Sequence, residues 1–290
     1  MAAGAGNIPK GKERYNMSSM TSVKNLIVQC PILLNGFIAI KNRIHRNGNT
    51  ITGINLHFQH NRIELLGQDH ILTLQNDSFM RECHVQIHGK QNQIKISADT
   101  QIYGDNRQTF HIDGQNNKIV IGKNCRITGS TFFIWGSDNL IRIEDNCSIC
   151  NTEFHIEQNQ NEIHIGIGTT THGREGHRIH MALDEGSKII LGEDCMLANG
   201  IQMRSSDSHS IVDLNGHRLN PAKDIVIGKH CWIGLQSISL KGSLVADACV
   251  IAAGSICSKK YEESNCVIAG NPAKIVKHNI NWDRKFIPVE

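Results

Sequence analysis

Sixteen histidines and ten cysteines give this 290-residue chain its chemical scope. Near neutral pH an imidazole can take a proton or ligate a metal, and a thiol can pair or bind zinc. His209 stands in RSSDSHSIVDLNGHRLNPAKDIVIG, residues 204–228, with Asp207 and Asp213 on either side. Either carboxylate, or a backbone carbonyl, could fix the tautomer of its ring, and both could equally be solvated loop residues. His172, His177 and His180 cluster in THGREGHRIH, and three imidazoles with a water can hold a zinc-type metal. Cys147 and Cys150 form one CxxC, which without a second pair is weak support for a zinc site.

The elements that must position these residues repeat. From Ile227 the chain falls into sixes: IGKHCW, IGLQSI, SLKGSL, VADACV, IAAGSI. The first place is Ile227, Ile233, Ser239, Val245 and Ile251; the fifth, always small, is Cys231, Ser237, Ser243, Cys249 and Ser255. Period six fits neither a helix nor simple strand alternation. It fits a chain that turns a corner after every short strand, so that three sixes close a triangular coil and stacked coils bury a continuous aliphatic column. Upstream, a polar Gly/Asn/Asp corner precedes an I-x-I strand again and again, as in GKQNQIKI, GQNNKIVI and GSDNLIRI. The closing aliphatics Leu74, Ile96, Ile121, Ile143, Ile165, Leu191 and Ile227 are spaced by 22, 25, 22, 22, 26 and 36 residues, then 18 to Val245. Three sixes make 18, so the spacing of 22 predicts one coil with a four-residue bulge at a constant corner. The spacing of 36 admits either two coils or one coil with a long loop. Cys125, Cys147, Cys195, Cys231 and Cys249 fall at the small fifth place, where free cysteine serves as a compact core residue.

The sixes, together with AAGS at 252–255 and AGNPAK at 269–274, resemble the hexapeptide-repeat acyltransferases. The resemblance implies an all-β fold, a left-handed parallel β-helix, with acetyl-CoA as co-substrate and no metal expected. The S-S-D-S-H-S stretch, followed by D-L-N-G and N-P-A-K-D-I-x-I-G, is similar to the branch that O-acetylates capsular polysaccharides, polysialic acid among them. In that branch the histidine of the motif is the general base, which maps to His209. A tryptophan at the place of Trp232 lines the groove, where its indole or a nearby N–H could aid the thioester oxyanion. The resemblance also implies that Ala252, Ala253 and Gly254 let a pantetheine arm lie along the backbone. Lys259 and Lys274 would stand near the CoA phosphates, and Asn271, with Pro272, would set the turn at the adenine end. No cysteine lies in the His209 loop, so direct transfer is expected rather than an acetyl-enzyme.

Domain expectations follow. Residues 1–22 form an arm and 23–45 a cap or first strands. Residues 46–262 form one β-helix with an active-site loop at about 203–224, and 263–290 a C-terminal strand and tail. A net charge of +3 and 5% aromatic residues argue against a nucleic-acid partner. The apolar run at 26–34 is too short to span a bilayer, so a cytoplasmic protein is expected. The reading is an acetyl-CoA-dependent O-acetyltransferase of a surface polysaccharide or its precursor, assembled as a homotrimer with sites between subunits. The alternatives are an N- or O-acetyltransferase of a small sugar or sugar nucleotide, and a metal hydratase. The last rests on the H-x4-H spacing of His172 and His177, which is similar to γ-class carbonic anhydrases.

Overall fold

The computed structural model describes residues 41–289 apart from Leu56 and Asn106, so the expected arm and most of the expected cap lie outside the described residues. Thirty strands, β1–β30, run between Arg43 and Lys277 and form three ten-stranded sheets. Face A runs from β1 (Arg43–His45) to β27 (Ile256–Cys257), and face B from β2 (Thr50–Thr52) to β28 (Lys260–Tyr261). Face C runs from β5 (Phe79–Arg81) to β29 (Val267–Gly270), where β30 (Ala273–Lys277) folds back antiparallel. All other strand pairs are parallel, and from β3 to β29 successive strands pass through faces A, B and C in turn, so the chain winds as a parallel β-helix.

The aliphatic column is the core. Leu74, Ile96, Ile121, Ile143, Ile165, Leu191, Ile227 and Val245 lie one above another along face B, all buried. Each such side chain contributes about 1.5–3 kcal/mol on burial, and only the stacked neighbours supply the apolar surroundings. The fifth-place residues Cys231, Ser237, Ser243, Cys249 and Ser255 are likewise buried, at 1% exposure or less. Their hydroxyls and thiols serve the corners: Cys231 Sγ donates to the Ala246 carbonyl at 3.2 Å and Ser237 Oγ to Gly234 at 2.9 Å.

Two spacings resolve differently from a uniform coil. The extra residues of the 22-residue coils lengthen face A rather than bulging at a corner alone. There β12 (Thr131–Trp135) has five residues where β24 (Ile238–Leu240) has three, and it buries Ile134 in addition to Phe132. The wider interior takes a stack of phenylalanines, Phe110, Phe132 and Phe154, with ring centroids 4.7 and 4.8 Å apart. At the corner after this face Asn92, Asn117, Asn139 and Asn161 form a buried ladder, each Oδ1 accepting the next backbone N–H. The 36-residue spacing is one coil, because β19 (Lys188–Leu191) pairs directly with β22 (Ile225–Ile227). Everything between Arg204 and Ile225 is therefore a loop at the corner between faces A and B.

Candidate active site

The loop leaves face A at β21 (Gln202–Arg204) and returns at β22. It is a braced structure. Buried Asn220 donates through Nδ2 to the His209 carbonyl and to Asp207 Oδ2, both at 2.8 Å, and accepts from the Ile211 N–H at 2.7 Å. Lys241, one coil further on, pairs with Asp207 and with the Asn220 carbonyl. Arg218 forks onto Glu185 on the preceding coil. The distal part is a small hairpin in which Val212 bridges Arg218 and Asp213 accepts from the His217 ring at 3.1 Å.

Both candidate carboxylates are thus occupied elsewhere, Asp207 by Lys241 and Asn220, and Asp213 by His217. The Lys241 ammonium and the Asn220 amide hold the Asp207 carboxyl below the usual range, so it stays a fixed anion at the loop base. The His209 side chain is exposed and, among the described residues, its ring has no hydrogen-bond partner. Of the two loop histidines, His209 is the one whose ring is free among the described residues.

The other expected site residues gather on a different edge. Trp232 opens β23 (Trp232–Ile233) on face C and is 40% exposed. It lines a cavity of about 210 Å³ with His172, Arg174, Met196, Ala198 and Asn199. Ala252, Ala253 and Gly254 form the corner from face C to face A, where Gly254 takes the left-handed backbone at φ 67°. Ala198, Gly234 and Ala252 stand in one file at this corner, each N–H bonding a carbonyl of the next coil at 2.8 to 3.0 Å. The hexapeptide spacing already contained the places of Ala198 and Gly234, but not their alignment. Asn271 and Lys274 are exposed at the cis Asn271–Pro272 turn between β29 and β30, at the end of face C. Lys259 lies instead at the corner between faces A and B, its ammonium over the Tyr261 ring at 5.7 Å. Within one chain, His209 and the small-residue corner are therefore separated by the width of face A.

The tail, the histidine cluster and the cysteines each have a place. Trp282 is buried and stacks on the His230 ring at 4.4 Å, donating to the His230 carbonyl at 2.7 Å, so it serves to fasten the tail. Arg284 adds bonds to Asp194 and Thr170. His172, His177 and His180 do not converge as a ligand set among the described residues. The nine described cysteines are unpaired, eight of them buried. Burial pushes the Cys257 thiol up to about 11, which leaves it no thiolate to attack a thioester.

Among the described residues no helix is long and apolar enough to cross a membrane. No family model matches the chain. A polysialic acid O-acetyltransferase of Neisseria meningitidis is 36% identical over 199 residues, 68% of this chain and 88% of the relative. One from Escherichia coli O1:K1 is 39% identical over 97 residues, 33% of this chain and 31% of that protein. Among solved structures, the polysialic acid O-acetyltransferase OatWY superposes with a TM-score of 0.59 at 28% identity, over 85% of this chain and 92% of that one. The polySia-specific acetyltransferase NeuO gives 0.56 at 26% identity, over 85% and 84%. The chain belongs to the polysialic acid O-acetyltransferase family, hexapeptide-repeat acetyltransferases built on a left-handed parallel β-helix.

Proposed function

We propose that this chain transfers the acetyl group of acetyl-CoA to a hydroxyl of a capsular polysaccharide of the polysialic acid class, or its precursor, in the cytoplasm. His209 acts as the general base. It takes the hydroxyl proton as the oxygen attacks the thioester carbon; the C–S bond then breaks, and the CoA thiolate leaves and recovers a proton. The observation that carries this reading is the His209 ring itself, held by its backbone on a braced loop and left unpartnered among the described residues. A hydroxyl is a poor nucleophile, and an imidazole poised near neutral pH contributes about 10²–10⁴-fold to such a step. The Ala198–Gly234–Ala252 file, ending at Ala253 and Gly254, offers the pantetheine arm bare backbone, and Trp232 walls the neighbouring cavity. Lys274 and Asn271, at the end of face C, serve the nucleotide end on their own chain's corner, and Lys259, on the loop edge, serves that of the adjoining chain.

The two halves of this site lie on opposite edges of face A, which supports an assembly in which one chain's loop meets its neighbour's small-residue corner. Three prisms turning face A toward a threefold axis bring those edges together, and the closed symmetry uses the same pair of surfaces three times. The exposed Ile211, Val212, Leu214 and Leu219 of the loop hairpin, with Leu214 fully exposed, offer an apolar tip for the adjoining chain. Steady-state kinetics of His209→Ala with acetyl-CoA and polysialic acid test the proposal. A loss of about 10²–10⁴ in kcat with unchanged acetyl-CoA affinity is expected, and near-normal turnover would remove the base assignment.

A further inference from the structure

The outer surface of face A carries three ligand-type side chains that the transfer reaction does not use. Glu153 and His155 lie on β15 (Thr152–Glu157), and His180 on β18 (Ile179–Leu183), where the register sets it directly beside Glu153. One atom from each of the three lies within 4.8 Å of the others. Glu153 Oε1 is 3.6 Å from both His155 Nδ1 and His180 Nε2. That separation is too long for an N–H···O hydrogen bond. It is close to the edge of a tetrahedron, about 3.3–3.4 Å, when ligand atoms stand about 2.0–2.1 Å from one metal ion.

The protons point the same way. His155 Nε2 lies 3.0 Å from Glu157 Oε1, and a carboxylate only accepts, so this nitrogen carries the N–H. His180 Nδ1 lies 3.2 Å from Gln202 Oε1, and in this amide orientation the proton sits on the nitrogen facing away from the cluster. In the neutral rings, His155 Nδ1 and His180 Nε2 then turn lone pairs toward a carboxylate oxygen. His155 Nδ1 is buried with no hydrogen-bond partner. Three electron-pair donors facing one another at this distance suit a cation between them. Glu157 and Gln202 are the outer partners that hold a ligating imidazole in its tautomer.

We propose that Glu153, His155 and His180 bind one divalent ion of the zinc class. Two imidazoles and a carboxylate suit zinc better than calcium or magnesium, which prefer oxygen-only sets. The Arg178 guanidinium, with Nε 3.9 Å from Glu153 Oε2 and Nη2 bonded to Thr131 Oγ1 at 2.9 Å, opposes the ion, and the Glu153 and Glu157 carboxylates offset it. His155 and His180 also line a cavity of about 240 Å³ that Ser206 and Ser208 share, at the root of the His209 loop. The fourth position of the ion opens there, as in sites that keep a water.

The test is binding of Zn²⁺ itself, read by isothermal titration and by metal content after dialysis, on chelator-stripped wild-type chain and the His155→Gln/His180→Gln double variant. These residues lie outside the aliphatic column on the face turned toward the proposed threefold axis, so a far-UV spectrum and the assembly mass check the variant; if the double variant does not fold and assemble, His180→Gln alone takes its place. Wild type should retain one Zn²⁺ per chain more than the variant, and Glu157→Gln should weaken that site about 10–100-fold. Equal zinc in wild type and variant, including none in either, overturns the site and leaves the cluster as a protonated His155 between two carboxylates. The readout is independent of acetyl transfer, so its failure and that of the enzymatic reading are distinguishable.

Discussion

Asn220 donates through Nδ2 to the main-chain carbonyl of His209 at 2.8 Å, so the loop fixes this histidine by its backbone and leaves the imidazole free. The same amide ties Asp207, and the Asn220 carbonyl receives Lys241. Asn220→Ala should cut the side-chain ties to His209 and Asp207 together and leave the main-chain bond from Lys241 in place. Because misplacement by about 1 Å can cost about 10²-fold, kcat should fall roughly ten- to a hundredfold. The acetyl-CoA KM should hold, since the small-residue corner is on another edge. Initial rates against both substrates check this; an unchanged kcat in a variant of unchanged Tm would show that Asn220 does not position the base.

Stability offers a sharper contrast at two glycines. A Cβ on Gly114, at φ 145°, would stand 1.8 Å from the Gly136 carbonyl oxygen of the next coil. Gly216, at φ 86° on the loop hairpin, has nothing within 4 Å of such an atom. Gly114→Ala should therefore cost roughly 3 kcal/mol or more, and Gly216→Ala about 1–2 kcal/mol from backbone strain alone. Thermal melts of the two variants would decide, and equal shifts would mean that coil contact is not what requires the glycine.

Much of this was legible because a solenoid writes its packing locally. The closing aliphatics from Leu74 to Val245 form one column in the structure, and the fifth-place cysteines are buried as compact core residues. Where the period lengthened, the sequence showed a surplus but not its place: the extra residues on β12 look the same in one dimension whether they widen a face or bulge a corner. The partners of His209 were hidden for a different reason. Asp207 and Asp213 are its neighbours in the chain, yet Lys241 and His217 claim them, and the residue that holds His209 is Asn220, across the loop. Likewise His180 was grouped with His172 and His177 by sequence distance, whereas parallel stacking sets it beside Glu153, one coil away.

Acid should loosen the coil through its buried histidines. His70 is fully buried, accepts from the Asn92 N–H at 3.3 Å through Nδ1 and donates through Nε2 to Leu66 at 3.2 Å, so it is neutral. Burial lowers its pKa, as it does for His84, His111 and His180. Below the unfolded value of about 6.5 the unfolded chain binds protons that the folded chain refuses. Stability is therefore full above that pH and is lost as pH falls through the folded values. His155 runs the other way, raised by its Glu153 and Glu157 carboxylates, and contributes below about 6.5. His70→Asn replaces the titrating ring with the residue used by the ladder above it. Its Tm should fall less steeply between about pH 7 and 5 than that of wild type; parallel curves would clear His70 of a part in acid lability.

The proposed shared site makes a prediction that no single-chain site can meet. His209→Ala removes the proposed base from one edge, and Ala253→Trp fills the proposed pantetheine track on the other, where Ala253 is exposed at the corner. Each variant alone should be nearly inactive, the first in kcat and the second in acetyl-CoA binding. If each site joins the loop of one chain to the corner of the next, unfolding and refolding the two variants together creates sites that take their loop from the Ala253→Trp chain and their corner from the His209→Ala chain. Random mixing makes about a quarter of the sites of this kind in a closed ring. Activity should return to about that fraction of wild type, with the acetyl-CoA KM of the native enzyme. Separate refolding followed by mixing should restore less, in proportion to subunit exchange. A mixture that stays as inactive as its components, in an assembly shown to contain both chains, would place His209 and Ala253 in the same chain's site.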